Sequence, residues 1–150
     1  MKTGRRLAPS ILIPILLMVT LTSCKDKPTA PKPEELAGTW TATKAEYVGK
    51  SSGSRVNLVA AGGVVTLLLE ANGNYVYVEI PSGGVPPDTT QGAWNASADV
   101  MEMTPQGATY SVVFDLYFSG NVLRLTGGDV LHDFTPGGPE ESDLNLEFAR

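Results

Sequence analysis

The sequence predicts an all-β domain, a small antiparallel up-and-down barrel of eight strands, and three observations predict it. From Thr39 onward, apolar residues recur mostly at every second position, the period of a strand with one dry face. Glycine, proline and asparagine punctuate the pattern at strand-length intervals. No long stretch beyond residue 24 carries the 3.6-residue period of a helix.

The first strand covers residues 39–48 and is entered through Glu34-Glu35-Leu36, which suit one helical turn. A glycine- and serine-rich loop follows, then strands at 64–70 and 74–80. Ala71-Asn72-Gly73 joins these two, with Asn-Gly supplying the positive backbone angles of a tight hairpin. Residues 81–90 form a loop containing Gly83-Gly84 and Pro86-Pro87. Two short strands at 91–96 and 99–104 come next, and Pro105-Gln106-Gly107 turns the chain into residues 109–118. Ser119-Gly120-Asn121 turns it again into 122–126, a loop spans 127–142, and residues 143–149 make the last strand.

Faces separate within these strands. Val112, Phe114, Leu116 and Phe118 oppose Asp115 and Tyr117, while Leu144, Leu146 and Phe148 oppose Asn145 and Glu147. An even number of hairpin-linked strands can close on itself and abolish its edges. Tight links favour an up-and-down barrel; a Greek-key sandwich stays open as the alternative, because the loops at 49–63, 81–90 and 127–142 are long enough to cross.

Ahead of the barrel the chain reads as two further segments. Lys2, Arg5 and Arg6 precede an apolar run over 7–21, with Pro14 in its middle and no acidic residue before Asp26. A membrane-spanning helix needs about twenty apolar residues, so a run this short reads as a secretory signal. It ends in Leu21-Thr22-Ser23-Cys24, which resembles the lipobox of bacterial lipoproteins. That resemblance implies cleavage of residues 1–23, lipidation of Cys24 with palmitate-type acyl chains, and attachment to a membrane. Lys25, in place of an aspartate, points by the same resemblance to the outer membrane, periplasmic face, with the cell surface as the lesser alternative. Cys24 is the only cysteine, so its lipidation leaves no thiol and no disulfide. Residues 24–35, rich in proline and lysine, form a tether extended at about 3 Å per residue.

Cleavage takes three of the eleven basic residues and none of the sixteen acidic ones, moving the net charge from −5 to −8. An acidic domain of residues 36–150 excludes nucleic acid as a partner and excludes a polybasic membrane-docking surface.

Four motifs then appear in order. Gly38-Thr39-Trp40 opens the domain, Glu70-Ala71-Asn72-Gly73-Asn74-Tyr75 forms an acidic hairpin, Gly92-Ala93-Trp94 follows, and Ser119-Gly120-Asn121-Val122-Leu123-Arg124-Leu125 comes late. Together they resemble the lipocalins and the bacterial lipocalin-like lipoprotein domains, of calycin-type barrel. The resemblance implies that Trp40 plugs the closed end of the barrel under a late arginine, for which Arg150 and Arg124 are both available. It also implies a small hydrophobic ligand in the barrel.

The inward candidates for that ligand are Trp40, Leu67, Leu69, Val76, Val78, Trp94, Met101, Met103, Phe114 and Leu116, with Val65, Leu125 and Leu146 beside them. The same residues would equally fill a solid core, and short strands favour the filled core because a cavity forfeits packing contacts. The competing function is a protein-interaction module with a filled barrel, such as an inhibitor of an envelope protease or lytic enzyme, presenting the proline-stiffened loop at 81–90.

No catalytic residue is expected and the chain is not read as an enzyme. His132, the only histidine, is followed by Asp133, but adjacent side chains diverge and no Gly-x-Ser-x-Gly elbow is present. A surface-loop histidine is the expectation. No cofactor is called for. Asp129, Asp133, Glu140, Glu141 and Asp143, on a loop with Gly127-Gly128 and Gly137-Gly138, are hard oxygen ligands of the kind calcium prefers, although their spacing matches no EF-hand.

Overall fold

Residues 29–134 and 138–150 are described by a computed structural model. Residues 21–24, expected to form a lipobox ending in Cys24, and Pro136-Gly137 lie outside the described residues. A single helical turn, α1 (Pro33–Leu36), leads into β1 (Gly38–Gly49), β2 (Arg55–Asn57), β3 (Val64–Leu69), β4 (Asn74–Ile80) and β5 (Asp88–Ala96). The chain continues through β6 (Val100–Pro105), β7 (Val112–Ser119), β8 (Val122–Asp133) and β9 (Pro139–Ala149).

Every pairing is antiparallel, and each strand from β3 onward pairs with the next in sequence. β1 pairs with β3 on one edge and β9 on the other, so eight strands close into a barrel. The three-residue β2 lies outside the ring, against the upper part of β1. An all-β up-and-down barrel is therefore the fold, and the Greek-key alternative falls because no loop crosses.

Two irregularities shape the interior. In β1 the register slips between Ala42 and Lys44, and the buried positions change from Trp40 and Ala42 to Ala45 and Tyr47. One extra residue in a strand exchanges its faces; without the bulge at Thr43, Tyr47 would point to solvent. In β8 a second slip falls between Leu125 and Gly128. There a Cβ on Gly128 would run into the Phe114 ring, so only glycine lets β8 pass over that side chain.

The second slip corrects the expected loop at 127–142. Gly127-Gly128 looks like turn chemistry, yet Gly127, at φ +75°, absorbs a bulge and the strand continues. Gly128 to Asp133 pair with Leu144 back to Pro139, which makes a long hairpin arm. The loop at 81–90 is likewise shorter, since β5 begins at Asp88. In the hairpin at 70–74 the positive backbone angle belongs to Gly73 alone, at φ +89°, because no described residue other than glycine has positive φ.

One end of the barrel is a closed floor. Trp40 is fully buried and its Nε1 donates to the Leu36 carbonyl at 2.8 Å. Phe118 meets its ring edge-on at 6.2 Å between centroids. Of the two arginines available to cover this tryptophan, Arg150 does so, its guanidinium 4.3 Å from the ring centroid. Arg150 also donates to the carbonyls of Ala37 at 3.0 Å and Glu35 at 2.8 Å, which ties the end of β9 to α1. Arg124 instead stands outside, near Tyr117 and Glu147. Leu67, Leu69, Trp94, Met101, Leu116, Leu123 and Leu125 pack into the buried core with Trp40.

Candidate functional site

Above that packed half the barrel is hollow. A cavity of about 800 Å³ opens at the mouth, walled by Tyr47 of β1, Tyr75, Tyr77 and Glu79 of β4, and Asp88 and Thr90 of β5. Met103 and Pro105 of β6, Val112 and Phe114 of β7, Val130 of β8, and Leu144 and Leu146 of β9 complete the wall. Tyr110, Asp129, Leu131 and Glu141 stand at the rim. The cavity also opens sideways. β7 and β8 pair only from Asp115 to Ser119 with Val122 to Thr126; above that point β8 is paired with β9 alone and Val112 to Phe114 with β6 alone.

The polar end of the cavity is built on β4. The hydroxyl of Tyr77 donates to Glu79 Oε1 at 2.6 Å, and the hydroxyl of Tyr47 donates to the same oxygen. Burial pushes both phenols far above their ordinary range, helped at Tyr47 by the nearby Glu79 carboxylate and at Tyr77 by Tyr47 and then Glu79, so they remain protonated donors. No donor among the described residues meets Glu79 Oε2. Asp88 lies directly across from Glu79 in the β4–β5 ladder, and neither carboxylate is ion-paired among the described residues.

His132 corrects another expectation. It is half-buried on strand β8, not exposed on a loop, and its ring stacks on Tyr47 at 3.8 Å between centroids with 15° between planes. Phe134 meets it edge-on at 4.8 Å. Burial lowers its pKa, against the opposing pull of Glu79 and Asp133. Its surroundings are those of a packing residue that closes the mouth beside Tyr47.

Of the ten residues expected to line a ligand pocket, Met103 and Phe114 are in the wall of this cavity. Trp40, Leu67, Leu69, Trp94, Met101 and Leu116 are buried in the core outside the cavity wall. Val76 and Val78 lie on the other face of β4. Their cross-strand partners are Leu68 and Thr66, on the half-buried outer face of β3, whereas Tyr75 and Tyr77 oppose the buried Leu69 and Leu67. Paired residues share a face, so the inner residues of β4 are Tyr75, Tyr77 and Glu79. The filled-core expectation holds for the floor half and gives way to a cavity in the upper half.

The five acidic residues considered for calcium do not converge. Asp129 and Asp143 are cross-strand partners, and Lys50 is ion-paired to both, at 3.4 Å from Asp143. Glu140 accepts from the backbone N–H and the hydroxyl of Ser52. Glu141 is at the cavity rim, and Asp133 opposes Pro139 at the tip of the arm. Among the described residues no group of three or more histidine, cysteine or acidic side chains is placed to hold a metal ion.

No family model matches this chain, and no curated protein matches it in sequence.

Proposed function

We propose that the protein is a lipid-anchored, non-enzymatic binding protein of the bacterial envelope, lipocalin-like in type, that holds a small, mainly apolar ligand in the upper half of its barrel. The observation that carries this reading is the cavity of about 800 Å³, within the size range of small-molecule sites, roughly 300–1,000 Å³. Its wall of Met103, Val112, Phe114, Val130, Leu144 and Leu146 offers apolar surface, and the tyrosines and Glu79 supply a few convergent polar groups. The closed floor supports the same reading: Trp40 under Arg150, beside α1, seals one end and leaves the other for entry. Lipid on Cys24 and a proline-rich tether would hold the acidic barrel off the periplasmic face of the outer membrane.

Native mass spectrometry of the full chain purified from its own membranes tests this. The protein should carry an adduct of constant mass that organic extraction removes. Val112→Trp, which fills the cavity from its wall, should lose the adduct while keeping the all-β circular dichroism spectrum. A protein that is empty in both forms, and takes up no apolar probe, overturns the proposal.

A further inference from the structure

Resting on the binding reading above, we infer that the ligand carries a protonated amine at one end of its apolar body, and that Glu79 receives it. The charged groups that line the cavity are all acidic: Glu79 and Asp88 where β4 and β5 meet, and Asp129 and Glu141 at the rim on β8 and β9. Glu79 and Asp88 sit directly opposite each other in the ladder and both face the cavity. Like charges in that position oppose each other, and no lysine or arginine among the described residues is ion-paired to either; His132, stacked on Tyr47, feels the Glu79 charge, but burial draws it toward its neutral form. The lining contains no basic residue.

The hydrogen bonding around Glu79 is asymmetric in a way that fits one incoming donor. Tyr47 and Tyr77 both donate to Oε1, which fixes the carboxylate plane and leaves Oε2 without a protein donor among the described residues. A primary ammonium has three donors and no acceptor. It can meet Oε2 and the Asp88 carboxylate together. A carboxylate or phosphate head would add a third anion to this corner. An alcohol could donate to Oε2 but would leave the repulsion between Glu79 and Asp88 in place.

Octylamine, 1-octanol and octanoate share one chain and differ only in the head, so their binding to the full chain in lipid nanodiscs, corrected for empty nanodiscs by calorimetry at neutral pH, separates the cases. Octylamine should bind roughly tenfold or more tightly than octanol, the worth of one charge-assisted hydrogen bond, and octanoate most weakly. Glu79→Gln should remove most of the advantage of octylamine over octanol, both measured on the same variant, and Asp88→Asn should give a smaller loss of that advantage. If octanol binds and octylamine binds no better, the amine inference fails while the cavity reading stands. If none of the three binds, the cavity reading fails and the amine inference with it.

Discussion

The tie between Arg150 and the barrel floor permits a worked prediction. Arg150→Ala removes two well-formed hydrogen bonds, to Glu35 at 2.8 Å and Ala37 at 3.0 Å, and a cation placed 4.3 Å from the Trp40 ring centroid. Each hydrogen bond contributes about 1 kcal/mol after competition with water, and an exposed cation–π contact about 0.5–1 kcal/mol. Because Arg150 is exposed, the lower end applies, and the loss should be about 2 kcal/mol, or a fall of about 6–10 °C in Tm for a domain of this size. Urea unfolding of the full chain, followed by tryptophan fluorescence, measures it. Arg150→Lys should recover less than half, since an ammonium lacks the planar fork that reaches two carbonyls while lying over a ring. An unchanged unfolding midpoint in Arg150→Ala would refute the view that this side chain locks the end of β9 to α1.

Three further outcomes are expected. Gly128→Ala places a methyl group against the Phe114 ring and should destabilise the barrel by about 1–3 kcal/mol by overpacking, whereas Gly83→Ala, with open space around it but positive φ, should cost less, about 1 kcal/mol; equal losses in denaturant would contradict the packing role. Tyr47 and Tyr77 keep their protons far above the ordinary phenol range in the folded barrel, so the folded state binds those protons more tightly than the unfolded one. Their stabilising contribution is complete below the unfolded phenol pKa of about 10 and falls as pH rises beyond it; absorbance titration should show them ionising only as the barrel unfolds, and Tyr77→Phe should delay alkaline unfolding. Cys24→Ser should abolish incorporation of labelled palmitate and release the protein from the membrane fraction; retained label would contradict lipidation at Cys24.

Much of the fold was legible because antiparallel hairpins write their pattern locally. Alternation in Val65, Leu67 and Leu69 and in Leu144, Leu146 and Phe148 marked the dry face, and these residues are buried. The glycine turns at Gly73, Gly107 and Gly120 marked the ends of strands. Gly127-Gly128 misled because the same residues serve a turn and a bulge, and what distinguishes them is the Phe114 ring, which comes from another strand.

The site was less legible, for a reason visible in β4. Tyr75, Val76, Tyr77 and Val78 are apolar on both faces, so alternation alone cannot say which face turns inward. The hairpin could have decided it: Leu69 and Tyr75 flank the tight turn as cross-strand partners, and a buried Leu69 requires Tyr75, Tyr77 and Glu79 inside. Tyr47 reaches the cavity only through the bulge at Thr43, a feature that depends on pairing with β9, more than ninety residues on in the chain. The hollow itself has no local signal, because the same inward residue types can fill a barrel or line one.

The most direct test of the central claim is a crystal structure of the protein purified from its own membranes. Continuous density is expected between Phe114, Leu144 and Glu79, with one end within hydrogen-bond distance of Glu79 Oε2. Side chains from β4, β7 and β9 meeting across an empty, collapsed upper barrel would contradict it.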